Sequence, residues 1–188
     1  MAAAPTSPSR ARQAPPKPGS TSTRRVVAER SVRRTAPRAP PAPARAIVDS
    51  GPLIALFNAA DRWHGPVLAW LRDHQQTRLI TTWPVLTEAC ALLARRLSNQ
   101  AALDFLRWIE RGALELDTAQ TTTLADVLGI SERFADLPFD LADASVAEAA
   151  ARLKISAVLT IDTDFDVYRD RAGQALVNLL RGNVPARR

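Results

Sequence analysis

The composition of this chain changes abruptly near residue 45, and the change limits where a folded domain can lie. Residues 1–45 hold nine of the fourteen prolines and contain no Phe, Tyr, Trp, Leu or Ile. Such a segment cannot bury enough apolar surface to offset the entropy lost on folding. We therefore expect residues 1–45 to be a disordered tail, and residues 46–188, which have the usual length of one domain, to be the folded unit.

The charge divides at the same point. Residues 1–45 carry ten basic side chains and one acid, for a net charge of +9, whereas residues 46–188 carry fifteen bases and eighteen acids, for −3. Three interpretations of the basic tail stay open at this stage. It is a basic arm that binds phosphates non-specifically, an organelle transit peptide, or the product of a misassigned translation start.

Cysteine and histidine usage narrows the chemistry. Cys90 is the single cysteine, which excludes an intramolecular disulfide framework and a Cys-rich zinc site and is typical of a reducing compartment such as the cytoplasm. His64 and His74 have no partner at a metal-ligand spacing, and we interpret them as structural. The longest uncharged stretch, residues 50–60, is eleven residues long, so we expect no membrane-spanning helix.

Short apolar runs alternate with helical patterns from residue 46 onwards. We predict helices with proline in the first turn after Asp49 and again from Pro84, and a sheet whose strands are separated by helices. The predicted strands are 46–49, 78–82, 113–116, 156–161 and 175–180, and the longer predicted helices are 63–71, 84–97, 99–110, 121–134 and 141–153. This order predicts an α/β fold with a mainly parallel central sheet flanked by helices on both faces.

Four acidic residues occupy unusual places in this pattern. Ligands of such folds gather beyond the carboxyl ends of the strands, where Asp49 and Asp162 each follow a predicted strand. Glu88 and Asp143 lie towards the buried side of their helices, where an unpaired carboxylate is costly. Each position also has an ordinary explanation, because acids are common in turns and Asp143 suits the first turn of a helix that Asp140 caps.

Carboxylates crowded into one crevice repel each other unless cations neutralise them. Oxygen ligands without His or Cys select hard ions, so Mg²⁺ or Mn²⁺ is the expected metal. An ion of this kind polarises a phosphate oxygen and activates water for attack on a phosphodiester. The four acids therefore indicate hydrolysis of a nucleic-acid backbone.

Other charged and aromatic residues carry weaker signals. Glu148 and Arg152, at i and i+4, are typical of an exposed ion pair. The four tryptophans are interpreted as core or dimer contacts rather than as base-stacking platforms. Candidate RNA-binding cations, each of which is alternatively an ordinary surface arginine, are Arg95, Arg96, Arg169 and Arg171.

Four segments in this order resemble the PIN domain, and specifically the VapC-type ribonuclease toxins of toxin–antitoxin pairs. These segments are residues 47–56, Thr87-Glu88, residues 140–145 and residues 159–165, and the resemblance spans nearly all of residues 46–180. The resemblance implies that Asp49, Glu88, Asp143 and Asp162 bind the metal. It also implies that Asp164 supports these ligands or substitutes for one of them, and that Ser50 helps to hold Asp49 or a phosphate. Asp140 keeps a secondary role as the cap of its helix. The 45-residue leader departs from the family pattern, since these toxins usually begin close to the first strand.

The resemblance also implies a reaction and partners. The expected activity is Mg²⁺-dependent cleavage of RNA that leaves a 5′-phosphate and a 3′-hydroxyl, in a homodimer blocked by a small antitoxin. Three alternatives stay open: a stand-alone PIN-family nuclease, a PIN-like module that binds RNA or protein without cutting, and a phosphatase on a similar sheet. Such a phosphatase needs a second acid two residues after its acidic nucleophile, and Gly51 occupies that position after Asp49.

Overall fold

The computed structural model describes residues 42–118, 120, 123–170 and 172–182. The predicted tail therefore lies almost wholly outside the described residues, and its described end enters the first strand at Arg45. Arg171, one of the candidate RNA-binding residues, also lies outside them.

Five strands, six α-helices and one 3₁₀-helix alternate along the described residues. The strands are β1 (Arg45–Val48), β2 (Arg78–Thr81), β3 (Glu115–Leu116), β4 (Ala157–Leu159) and β5 (Val177–Asn178). The helices are α1 (Ser50–Phe57), α2 (His64–Asp73), α3 (Trp83–Arg96), α4 (Asn99–Glu110), α5 (Thr123–Arg133) and α6 (Leu141–Leu153), and the 3₁₀-helix is Asp164–Asp166.

The strands form one parallel sheet in the order β3-β2-β1-β4-β5. The chain moves outwards from β1 to β3 and then returns to β4 on the other side of β1. The direction of winding therefore reverses between β1 and β4, and the crevice at the carboxyl ends of these two strands is where such sheets bind ligands. The predicted parallel α/β architecture is confirmed.

Local sequence signals begin the helices that carry the candidate site. The side chain of Asp49 accepts from the amide of Ser50 at the start of α1, and that of Thr82 accepts from the amide of Val85 at the start of α3. Asp140 accepts from the amides of Ala142 and Asp143, so its predicted role as the cap of α6 is confirmed.

The core packs around β1, whose Ala46, Ile47 and Val48 are at most 1% exposed. Trp63 and Trp70 are buried in this core as predicted, whereas Trp83 is 53% exposed. Trp108 packs against the rings of Phe57 and Phe105 with centroids 5.7 and 6.4 Å away. Within the described part of the chain, every helix is too short or too polar to cross a bilayer.

The two strands on one side of β1, β4 and β5, are shorter than predicted. Only residues 157–159 of the predicted 156–161 and 177–178 of the predicted 175–180 pair in the sheet, and the 3₁₀-helix at Asp164–Asp166 was not predicted. Thr160 explains the early end of β4, because its side chain binds Asp49 and the amide of Asp162. These bonds turn the chain away from the sheet as it enters the crevice.

Candidate metal centre

The candidate acids come together at the carboxyl edge of the sheet, although they come from four segments of the chain. Asp49 directly follows β1, and Asp162 lies three residues after β4. Glu88 lies in α3, Asp143 in the first turn of α6 and Asp164 at the start of the 3₁₀-helix. The winding of the sheet therefore brings these carboxylates to the crevice at β1 and β4.

Three of these carboxylates are close enough to share an ion. Asp143, Asp162 and Asp164 each offer an oxygen, and the three oxygens lie within 4.8 Å of one another. Oxygens on opposite sides of one Mg²⁺ are about 4.2 Å apart, given bonds of about 2.1 Å. The cluster therefore fits a hard divalent cation with a small contraction of its side chains, and Asp164, expected in a secondary role, stands among its members.

Asp49 lies behind this cluster and is 4% exposed. Its Oδ1 accepts from the amide of Ser50 at 2.6 Å, and its Oδ2 accepts from Oγ1 of Thr160 at 2.9 Å. Burial raises the pKa of Asp49 to about 6, and the negative charges of Glu88 and Asp162 add to the rise, while the two hydrogen bonds oppose it. Ser50 thus holds Asp49 through its backbone amide.

Asp143 is the most strongly perturbed acid of the cluster. Burial raises its pKa to about 8, and the charges of Asp49, Asp140, Asp162 and Glu88 contribute further in that order. Burial and the charge of Asp162 raise the pKa of Asp164 as well. The crevice thus gathers negative charge that a cation would relieve.

Glu88 faces the cluster from α3. Its side chain is half-buried and lines a shallow open cleft together with Asp140, Thr87 and Leu141. Its charge acts on both Asp49 and Asp143. Glu88 is therefore electrostatically part of the site.

Thr160 is a site residue that the sequence analysis missed. Its Oγ1 donates to Asp49 and accepts from the amide of Asp162 at 2.9 Å, so one hydroxyl joins two candidate ligands. The sequence held a weak signal for it, because a threonine two residues before an acid at a strand end is a common turn pattern. Asp162 Oδ1 in turn accepts from the amide of Asp164 at 2.9 Å.

Tyr168 is a second residue that the sequence analysis missed. It is 4% exposed and packs against the rings of Phe134 and Phe165. Burial raises its pKa to about 12, with further contributions from Asp143, Asp164 and the other acids of the crevice. Its phenol therefore stays protonated beside the cluster at neutral pH.

The candidate RNA-binding arginines lie in different surroundings. Arg95 and Arg96 are exposed in the last turn of α3. Arg169 donates from Nη1 to the carbonyl oxygens of Asp166, Val167 and Tyr168 at 2.6, 2.9 and 2.8 Å. That nitrogen braces the chain after the 3₁₀-helix and is not available for a phosphate in this conformation.

The prediction of an exposed Glu148–Arg152 ion pair is wrong, because Glu148 is 4% exposed. Arg152 Nε donates to Glu148 Oε1 at 2.7 Å, and its Nη2 pairs with Asp117 Oδ2 at 2.5 Å. The i,i+4 spacing predicted the pair but not its burial. The third member of the network is Asp117, which follows β3 and is distant in sequence from the pair. The triad joins the end of β3 to α6.

Comparisons with known proteins agree with this architecture. The family model described as the PIN domain matches residues 46–170. A curated relative, "Ribonuclease VapC26" of Mycobacterium tuberculosis, is 29% identical over 116 residues, which cover 62% of this chain and 85% of that protein.

Two solved structures share the fold. The crystal structure of Mycobacterium tuberculosis VapC20, described as a sarcin-ricin loop cleaving toxin, superposes with a TM-score of 0.62 at 22% identity and covers 71% of this chain and 98% of that chain. VapBC2 from Rickettsia felis, bound to a DNA fragment from its promoter, superposes with a TM-score of 0.52 at 14% identity, with the same coverage of 71% and 98%. The chain belongs to the PIN-domain family, and its resemblance within that family is to the VapC-type toxins.

Proposed function

We propose that this protein is a metal-dependent endoribonuclease that hydrolyses RNA phosphodiester bonds and acts as the toxin of a toxin–antitoxin pair. The observation that carries the proposal is the cluster of Asp143, Asp162 and Asp164, whose oxygens lie within 4.8 Å of one another at the crevice of a PIN-family sheet. The relative named Ribonuclease VapC26 supports the RNA substrate.

The donor set supports Mg²⁺, with Mn²⁺ as a substitute. Among the described residues, the cluster offers carboxylate oxygens and no imidazole or thiolate, which selects hard cations. Asp143, Asp162 and Asp164 would hold the ion, with Asp49 and Glu88 completing the site. When bound, a divalent cation stabilises charge on a phosphate oxygen and lowers the pKa of a bound water.

The chain itself positions the reaction. Thr160 and the amide of Ser50 fix both oxygens of Asp49, so this carboxylate cannot rotate away from the crevice. Asp140 is committed to the two amides that begin α6, and this bond holds the first turn that carries Asp143. The acids would then bind metal in a fixed frame, while the exposed Arg95 and Arg96 offer cations to the RNA backbone.

Protein partners are also part of the proposal. Trp83, Leu124 and Leu141 are 53%, 75% and 48% exposed and line one small apolar cavity beside Glu148. Leu128, one turn after Leu124, is 57% exposed on the same helix. Exposed apolar patches of this kind mark protein interfaces, and we assign this one to the homodimer.

An antitoxin is the second proposed protein partner. The solved structure of VapBC2 is similar in fold to this chain, and the relative VapC26 is named as a ribonuclease. Among the described residues, no arginine forms an ion pair with the clustered acids of the crevice. A basic side chain from an inhibitor would therefore complement their negative charge.

The proposed activity is tested by RNA cleavage with Mg²⁺, with EDTA, and with the variant Asp143→Asn. We expect cleavage by the wild type with Mg²⁺ only, and a loss of at least about 100-fold in the variant, because it removes a ligand charge. Asp104→Asn is the matched control, since Asp104 is exposed and pairs with Arg107 on α4. Undiminished cleavage in EDTA or by a folded Asp143→Asn would contradict the proposal, and metal and RNA binding without cleavage would favour a non-cutting module.

A further inference from the structure

A chain of buried hydrogen bonds joins the start of α3 to the first turn of α6. Oγ1 of Thr82 and Oγ of Ser145 are 2.6 Å apart, and both residues are 4% exposed. The amide of Val85 donates to Thr82 Oγ1 at 3.4 Å, and Ser145 Oγ donates to the carbonyl oxygen of Ala142 at 2.7 Å. We refer to Thr82 and Ser145 as the hydroxyl pair.

The direction of these bonds follows from the number of protons. Each hydroxyl has one proton to donate, and that of Ser145 goes to Ala142. Thr82 must therefore donate to Ser145, while it accepts from Val85. The bonds run in one direction from α3 to α6, and neither hydroxyl can turn without breaking two of them.

The hydroxyl pair stands close in sequence to two candidate ligands on different helices. Glu88 lies six residues after Thr82 on α3, and Asp143 lies two residues before Ser145 on α6. The two carboxylates repel each other, so their own interaction pushes the helices apart. The directional bond between Thr82 and Ser145 joins the same two helices and opposes that separation.

We propose that Thr82 and Ser145 are positioning residues that set the distance between Glu88 and Asp143 for divalent cation binding. This inference rests on the proposed metal-dependent function. Neither hydroxyl touches the ion, because Thr82 precedes α3 and both residues line the apolar cavity at Trp83 and Leu124. They act by fixing where the two helices begin.

Ser145→Ala is the sharpest variant, because it removes the acceptor of the inter-helix bond and leaves Thr82 free to cap Val85. Thr82→Val removes the donor as well as the cap, and Thr82→Ser keeps the hydroxyl. The matched control is Ser131→Ala on α5, whose hydroxyl donates to the carbonyl of Val127 at 2.9 Å and has no described bond to another helix.

Titration calorimetry of Mn²⁺ into the full chain measures the effect on the metal site. We expect Ser145→Ala and Thr82→Val to weaken Mn²⁺ binding about tenfold, the scale seen when the support of a ligand is lost. Thr82→Ser and Ser131→Ala are expected to bind as the wild type does. A role in folding alone would lower thermal stability and leave the Mn²⁺ affinity of the folded protein unchanged.

Crystal structures of the wild type and Ser145→Ala supply a readout that does not depend on metal. The distance between the carboxyl carbons of Glu88 and Asp143 is expected to change by more than about 0.5 Å, the tolerance of a preorganised site. An unchanged distance overturns the positioning role. Failure of the wild type to bind Mn²⁺ would instead contradict the proposed function, and the carboxyl distance would still decide on the hydroxyl pair.

Discussion

Thr160 donates its hydroxyl proton to Oδ2 of Asp49 at 2.9 Å, across 111 residues of sequence. The same oxygen of Thr160 accepts the amide of Asp162 at 2.9 Å. One threonine thus fixes the acid after β1 and begins the loop that carries Asp162 and Asp164. The placement of Asp49 relative to the loop of Asp162 and Asp164 therefore depends on this hydroxyl.

Replacing Thr160 with Val is expected to raise the pKa of Asp49 above about 6, because the lost hydrogen bond opposes the effect of burial. Asp49 would then be more protonated at pH 6, so Mn²⁺ affinity should fall about tenfold and fall further at pH 6 than at pH 8. Calorimetry at both pH values checks this. Thr77→Val, which removes a hydroxyl bound to the carbonyl of Pro43, is the control, and equal affinities of Thr160→Val and wild type at pH 6 would argue against the role.

The metal-free protein is expected to lose stability as the pH rises. The pKa of Asp143 is raised to about 8, so between about pH 4 and pH 8 the folded state binds more protons than the unfolded chain. The loss of stability caused by Asp143 is absent below the pKa of its carboxyl in the unfolded chain, and it is complete above the pKa of this carboxyl in the folded protein. The melting temperature in EDTA should therefore be a few degrees lower at pH 8 than at pH 5.

The variant Asp143→Asn removes the main source of this penalty. We expect its metal-free melting temperature to exceed that of the wild type at pH 8 and to approach it at pH 5. Mg²⁺ should stabilise the wild type and have little effect on the variant. Identical pH profiles of the two proteins in EDTA would show that Asp143 is not the perturbed group.

Gly51 leaves room for the side chain of Ile161 where α1 meets the Asp162 loop. A Cβ on Gly51 would lie 2.6 Å from Cγ1 and 2.9 Å from Cδ1 of Ile161. Gly51→Ala is therefore expected to destabilise the protein by about 1–3 kcal/mol through overpacking, as measured by urea unfolding.

Two further variants separate this clash from helix propensity. Gly65→Ala on α2 meets nothing within 4 Å, so it should stabilise by about 0.5–1 kcal/mol. Ile161→Ala in the Gly51→Ala background should recover part of the loss, because it removes both clashing atoms. In a double-mutant cycle, additive effects of Gly51→Ala and Ile161→Ala on the free energy of unfolding would contradict the close approach of residues 51 and 161.

The buried triad predicts a large effect of Arg152. Arg152→Met leaves Glu148 and Asp117 without their cation, and we expect a loss of about 3 kcal/mol in the free energy of unfolding. Arg107→Met breaks an exposed pair with Asp104 and should cost less than about 1 kcal/mol. Similar losses for the two variants would mean that burial does not control the strength of the triad.

The apolar patch on α5 predicts a change of oligomeric state. Leu124→Glu places a charge where a 75% exposed leucine is assigned to the dimer, so it should shift the protein towards monomer in sedimentation experiments. Leu103→Glu, a 47% exposed leucine on α4, is the control. A monomeric wild type, or a dimer unaffected by Leu124→Glu, would contradict the assignment.

The sequence was sufficient to predict the parallel α/β fold, because buried strands and amphipathic helices have distinct periods. The bounds of α4 and α6 agree with the prediction at 99–110 and 141–153. The lengths of β3, β4 and β5 were overestimated, since part of each apolar run packs against the core without pairing in the sheet. Residues 160–164 illustrate why: side-chain bonds to Asp49, which is 111 residues from Thr160, end β4 early.

The acids of the crevice were recognisable because each interrupts an apolar pattern or follows a strand. The sequence did not show which of these acids lie close enough to share an ion, because that depends on the conformation of the loops. The 3₁₀-helix brings Asp164 alongside Asp143 and Asp162. A single 3₁₀ turn is too short to produce a periodic pattern that predicts it. The burial of Glu148 was likewise not predictable, because its network includes Asp117, which lies 31 residues before it in the sequence.

The most direct test of this account is anomalous diffraction from crystals of the wild-type protein soaked in Mn²⁺. We predict an anomalous peak within about 2.4 Å of carboxylate oxygens from at least two of Asp143, Asp162 and Asp164, close to Asp49 and Glu88. A Mn²⁺-soaked crystal with no peak in the crevice, and with these oxygens occupied by protein cations, would contradict it.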